Sequence, residues 1–79
     1  MLVDVFRRPE AEGKFSHLAV PHNEPIPQEV TDWEWHDEAR GIDLNEDLES
    51  WPEYGIEKPG EQLSKKRYAI TSVKKMTTE

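Results

Sequence analysis

Seventy-nine residues carrying 17 Asp and Glu against 10 Lys and Arg, a formal charge of -7, describe one small acidic domain with no room for a second. The absence of cysteine excludes a disulfide framework, a thiolate nucleophile and a zinc ribbon. No run of 18 apolar residues is present to cross a membrane, and with no signal-peptide layout a cytoplasmic protein is expected.

A mean hydropathy of -0.92 leans towards disorder. The apolar residues are nevertheless gathered into runs at Leu2–Phe6, Phe15–Val20 and Tyr68–Val73, rich in the β-branched and aromatic residues that suit a pleated surface. The first two runs are joined by a loop in which Pro9 cannot donate to a ladder and Gly13 tolerates positive φ, so residues 2–20 are predicted to form a β-hairpin. Pro21, Pro25 and Pro27 stop the second strand and favour an extended arm over 21–28. Trp33 and Trp35, two apart, would share one face of a strand, and alternation over 38–43 predicts the third strand. Residues 45–55, with Asn45, Pro52 and Gly55 among acids, read as loop. Pro59 opens a short helix over Gly60–Lys66, with Glu57 and Glu61 at its positive end and Lys65, Lys66 and Arg67 at its negative end. The last strand follows at 68–74, and the tail from Met76 to Glu79 is expected to fray. The order β-β-β-α-β over a single domain, residues 1–79, predicts an α+β fold: a small, mainly antiparallel sheet with one short helix packed on one face.

The stretches Val3–Ser16, Leu18–Pro21 with Pro25–Pro27, Glu53–Ile56, Glu61–Leu63 and Tyr68–Val73 together resemble a family of short bacterial proteins known only as a domain of unknown function. The resemblance runs nearly end to end, though Trp33-Glu34-Trp35-His36 lies outside its pattern. It implies a stand-alone bacterial domain and carries over neither an activity nor functional residues.

The sequence offers little for catalysis. Asp43–Glu49 imitates the start of a calcium loop, but Leu48 and Tyr54 stand where an EF-hand needs Gly and the bidentate Glu, leaving a solvated acidic loop. His36 beside Asp37 and Glu38 is the one candidate metal or general-base cluster, yet His17 and His22 lie on other segments, His17 on the expected polar face of its strand. No serine sits in a nucleophile elbow, and the four glycines are isolated. No enzyme, cofactor or metal is expected from these residues.

Charge is unevenly placed: residues 24–61 hold 13 acids against Arg40 and Lys58, whereas 62–79 are basic. The leading expectation is a non-catalytic interaction domain that binds a basic protein surface or a second copy of itself. Trp33, Trp35 and Trp51 read as core or as a lid over one sheet face, and exposed together they would be its anchors, with Glu34, Asp37, Glu38, Asp47 and Glu49 steering the partner. A metal-binding domain using His36 and nearby carboxylates is the first alternative. Weak nucleic-acid binding through the basic C-terminal end, Lys65-Lys66-Arg67 with Lys74-Lys75, is the second, opposed by the whole-chain charge.

Overall fold

A computed structural model describes residues 1–30, 34–72 and 77–78. Strands β1 (Leu2–Pro9) and β2 (Lys14–Pro21) form the predicted hairpin, pairing antiparallel from Val3 opposite Pro21 to Pro9 opposite Phe15. The chain reverses through a 3₁₀ turn at Ala11–Gly13, where Glu12 and Gly13 both take positive φ, at 62° and 71°. Strand β3 (His36–Asp43) adds antiparallel to the free side of β1 and begins two residues earlier than the alternation suggested. Trp35 precedes β3 rather than belonging to it, and Trp33 lies outside the described residues.

Residues 45–55 are not simply loop. Strands β4 (Ser50–Trp51) and β5 (Ile56–Glu57) pair as a second, two-stranded sheet around a 3₁₀ turn at Pro52–Tyr54. Helix α1 (Pro59–Lys66) follows, starting on the proline, then β6 (Ala69–Ile70), which pairs with Leu18 and Ala19 of β2. The predicted last strand is therefore short, and its Val73 and Lys74 lie outside the described residues. The tail is not wholly frayed: β7 (Thr77–Thr78) pairs with Lys14 and Phe15. The main sheet runs β3-β1-β2-β6, with β7 also on β2, and α1 contacts β6, giving the α+β class that the sequence suggested.

Side chains alternate across a strand, so the hairpin has two sets of neighbours. Val3, Val5 and Ala19 pack with Trp51, Ile56, Leu63 and Ala69, where the small sheet and the helix cover one face. Phe6, Leu18 and Val20 pack with Val30 and Tyr68 on the other, supported by Ile26 from the arm and by Trp35 just ahead of β3. Both faces are covered, which is why β1 is continuously buried from Val3 to Phe6 rather than alternating. It also corrects one expectation. The strand has no polar face for His17, which is buried at 5 % exposure.

The sheet edges are blunted. Two register irregularities interrupt β3 along β1, and such bulges spoil an edge as a template for another strand. At the opposite edge the Gln62 carboxamide oxygen accepts the Ile70 N–H at 3.0 Å, tying α1 to β6.

Candidate functional site

The acidic segment from 44 to 57 is organised around one carbonyl. The Asn45 oxygen accepts both the Leu48 N–H (3.2 Å) and the Trp51 indole N–H (2.9 Å), while the Asn45 side chain accepts the Asp47 N–H at 2.9 Å. Turn-forming Asn residues satisfy local backbone in this way. Trp51 and Ile56 of the β4–β5 pair then point into the core, at 1 % and 0 % exposure. The segment is closed by Lys58 N–H to the Glu49 carbonyl at 2.6 Å and docked by Ser72 N–H to the Gly55 carbonyl at 3.1 Å.

With its apolar side turned inward, the segment exposes Asp47, Leu48, Glu49, Glu53 and Glu57. Leu48, 52 % exposed, is the most exposed large apolar side chain among the described residues. Glu46, Asp47, Leu48, Glu49, Lys58, Gly60 and Glu61 line an open groove of about 550 Å³. Its floor is tight, since a Cβ on Gly60 would collide with the Glu46 carbonyl.

The other exposed acids are largely answered inside the molecule. Asp37 pairs with Arg40 at 3.4 Å, Glu38 with Arg7 at 3.7 Å, Glu24 with Arg67 at 2.8 Å and Glu61 with Lys65 at 2.9 Å. Asp43 and Glu46 lie 2.9 and 3.1 Å from the Met1 amine. Among the described residues Asp47, Glu49, Glu53 and Glu57 have no such partner and share this one segment, whereas Glu12, Glu29 and Glu34, also without an ion pair, are scattered over other segments.

The predicted contact residues are therefore not brought together. Glu34, Asp37 and Glu38 sit at or before the start of β3, whereas Asp47 and Glu49 lie beyond its end, on the order of 20 Å along the strand. Trp51 is no surface anchor: it is the largest fully buried side chain among the described residues. Trp35 is half-buried, its indole N–H held by the Val30 carbonyl at 3.0 Å and its ring under the Arg8 guanidinium at 5.2 Å. Leu48 was legible as an apolar residue between Asp47 and Glu49 but was not singled out.

The alternatives find less support in the arrangement. Among the described residues no three His, Asp or Glu side chains converge as a metal site requires, and His36 is exposed at the head of β3. In the basic segment Lys65 is held by Glu61, Lys66 by Gln62 and the Tyr68 ring, and Arg67 by both Glu24 oxygens. Lys74 and Lys75 lie outside the described residues.

One cluster of ionisable groups escaped the sequence reading. Asp4, 1 % exposed, accepts hydrogen bonds from His22 Nδ1 (2.8 Å), Asn23 N (3.0 Å) and Gly41 N (2.8 Å), with Arg40 at 3.9 Å. Burial alone pushes the Asp4 carboxyl up, but the bonds from His22, Asn23 and Gly41 outweigh it and hold the group below its ordinary value. An ionised carboxylate only accepts, so a neutral His22 carries its proton on Nδ1 and presents the Nε2 lone pair. The cluster ties β1, the turn after β2 and the β3 irregularity together.

Gly41 makes this closure possible. Its φ of 64° is left-handed, and an added Cβ would stand 3.1 Å from His22 Cε1. Gly41→Ala is expected to cost about 1–3 kcal/mol of stability in urea denaturation. A loss below about 0.5 kcal/mol, within the range of ordinary surface changes, would show that the imidazole is not wedged against this backbone.

The sequence model of a family described as "Family of unknown function (DUF6139)" matches residues 1–77. No curated protein and no solved structure matches the chain.

Proposed function

We propose that this chain, which belongs to the family of unknown function DUF6139, is a non-catalytic interaction domain that binds a basic protein surface through the outer side of its 44–57 segment. The observation that carries this reading is the concentration of unpaired charge. Asp47, Glu49, Glu53 and Glu57 share one short segment and lack internal ion pairs among the described residues, beside an exposed Leu48. Isolated carboxylates keep a protein soluble wherever they lie. Four on one rigid segment also create a local field that steers a cationic partner and leaves an apolar contact at its centre. The trapped backbone of Asn45 and the buried Trp51 supply that rigidity, so little ordering cost remains for binding.

The reading is tested by affinity capture from the native host with the wild type and with a variant carrying Asp47→Asn, Glu49→Gln, Glu53→Gln and Glu57→Gln. All four positions are exposed, so the variant should keep the wild-type melting behaviour. A stoichiometric basic partner is expected with the wild type, lost in the variant. Its association rate should fall about tenfold or more as salt shortens the Debye length below about 8 Å. A partner held equally by both proteins, or at a rate indifferent to salt, overturns the assignment. Capture of a second copy alone would replace the basic partner with self-association.

A further inference from the structure

His17 lies on β2 with 5 % exposure, and its ring Nδ1 has no hydrogen-bond partner. It forms the seam between the main sheet and the acidic segment. Its backbone N–H donates to Thr71 Oγ1 at 2.7 Å, and its carbonyl accepts the Thr71 N–H at 3.0 Å. The Thr71 hydroxyl in turn donates to the Tyr54 carbonyl at 2.6 Å. The His17 ring packs on the Tyr54 ring, centroids 5.2 Å apart and tilted by 60°. The 3₁₀ turn that joins β4 to β5 therefore meets β2 through one histidine and one threonine, beside the Ser72–Gly55 bond and the buried Trp51 and Ile56.

We propose that His17 is a proton-operated latch: neutral, it helps the buried Trp51 and Ile56 hold the 50–57 hairpin against the sheet, and protonated, it loosens that hold. A neutral imidazole tolerates the enclosed position with one idle acceptor. Protonation places a charge in a buried seam and turns Nδ1 into a donor with no acceptor to meet it. The surrounding groups do not rescue the charge. Arg7, opposite His17 on β1, repels it, while Glu38 from β3 and the Tyr54 carbonyl favour it. Arg7 is itself 3.7 Å from Glu38, so these two charges largely answer each other. Burial is left as the largest influence, and it favours the neutral ring.

The sign follows directly. A histidine held neutral in the closed form contributes its full stability above the free-imidazole value, and that stability declines as pH falls below it. Between about pH 7 and about pH 5.5 the closed-to-open ratio should drop, by at most about eightfold for a free-imidazole value near 6.5. Because the hairpin carries Glu53 and Glu57, opening would dismantle the proposed binding surface. That regulatory consequence rests on the interaction reading, but the latch itself does not.

The experiment is hydrogen exchange on the full chain at these two pH values, corrected for intrinsic rates, in the wild type and in His17→Phe. Faster exchange of the 50–57 and 71–72 amides at the lower pH, by up to that factor, is expected in the wild type, with β1 still protected. The phenylalanine variant should lose the pH dependence. Equal protection at both pH values, or the same dependence in the variant, overturns the latch. Should the variant fail to fold, an NMR titration of the wild-type imidazoles decides. A His17 midpoint below the free-imidazole value supports the latch, and one at or above it refutes it. None of these readouts requires a partner, so failure of the interaction reading leaves them standing.

Discussion

Replacing Asp4 with alanine is expected to remove about 3–5 kcal/mol of folding stability, a large share of what so small a domain holds. The carboxylate is 1 % exposed and is the shared acceptor of His22, Asn23 and Gly41. Deleting it strands two backbone N–H groups and one imidazole N–H, each costing about 1–3 kcal/mol where water cannot reach them fully. It also leaves Arg40 without its inner counter-charge. Asp4→Asn should recover only part of the loss, because a carboxamide must aim its NH₂ at a donor. Urea denaturation monitored by tryptophan fluorescence measures both. A loss under about 1 kcal/mol for Asp4→Ala would mean that water replaces the carboxylate and that the cluster is not a fastening.

The same residue has a signature in pH. Its carboxyl is held below the ordinary value in the folded chain, so its contribution is present above the unfolded value and is lost as pH falls through the folded one. The wild type should therefore lose stability on acidification below about pH 4 more steeply than Asp4→Ala does.

Trp51→Ala is expected to be comparably damaging, at about 3–5 kcal/mol. The indole is 1 % exposed among Val3, Val5, Ala19, Ile56, Leu63 and Ala69, at the junction of hairpin, helix and small sheet. Its removal opens a cavity there and frees the Asn45 carbonyl, which shapes the acidic turn. Trp35→Ala, from a half-buried site, should cost clearly less. A comparison of the two denaturation midpoints checks this ordering. Equal losses would contradict the placement of Trp51 in the centre and Trp35 at the margin.

These residues show where sequence reading stops. Asp4 lies between Val3 and Val5, which reads as the outward position of an amphipathic strand. Yet Leu2 and Phe6 share its parity, and Leu18 and Val20 face opposite ways from Ala19, so apolar residues occupied both faces of the hairpin. That double pattern was the available sign that both faces would be covered and that Asp4 and His17 would be enclosed. Trp51, among acids and prolines, carried no periodicity to mark it as core, because a two-residue strand is too short to show one.

The acidic surface divides in the same manner. Its composition was plain in the sequence, and Asp47 and Glu49 among the predicted contacts do lie on the exposed side of the 44–57 segment. Which carboxylates keep their charge unanswered was not. That depends on Arg67 reaching Glu24, 43 positions away in the chain, and on Arg7 reaching Glu38 across a strand pair.

What the sequence determined by itself was local: the hairpin from its apolar runs and its Pro9–Gly13 turn, the helix from Pro59 and its charged ends, and the α+β order that follows. Turn geometry, strand alternation and the helix dipole act within a few residues, so each is written in the segment that obeys it. Tertiary structure alone decided the burial of Asp4, His17 and Trp51, the pairing of β4 with β5, and the separation of the acidic groups at the two ends of β3. Those outcomes depend on which distant segment covers each face of the sheet, and covering a face is a long-range packing event that no local pattern records.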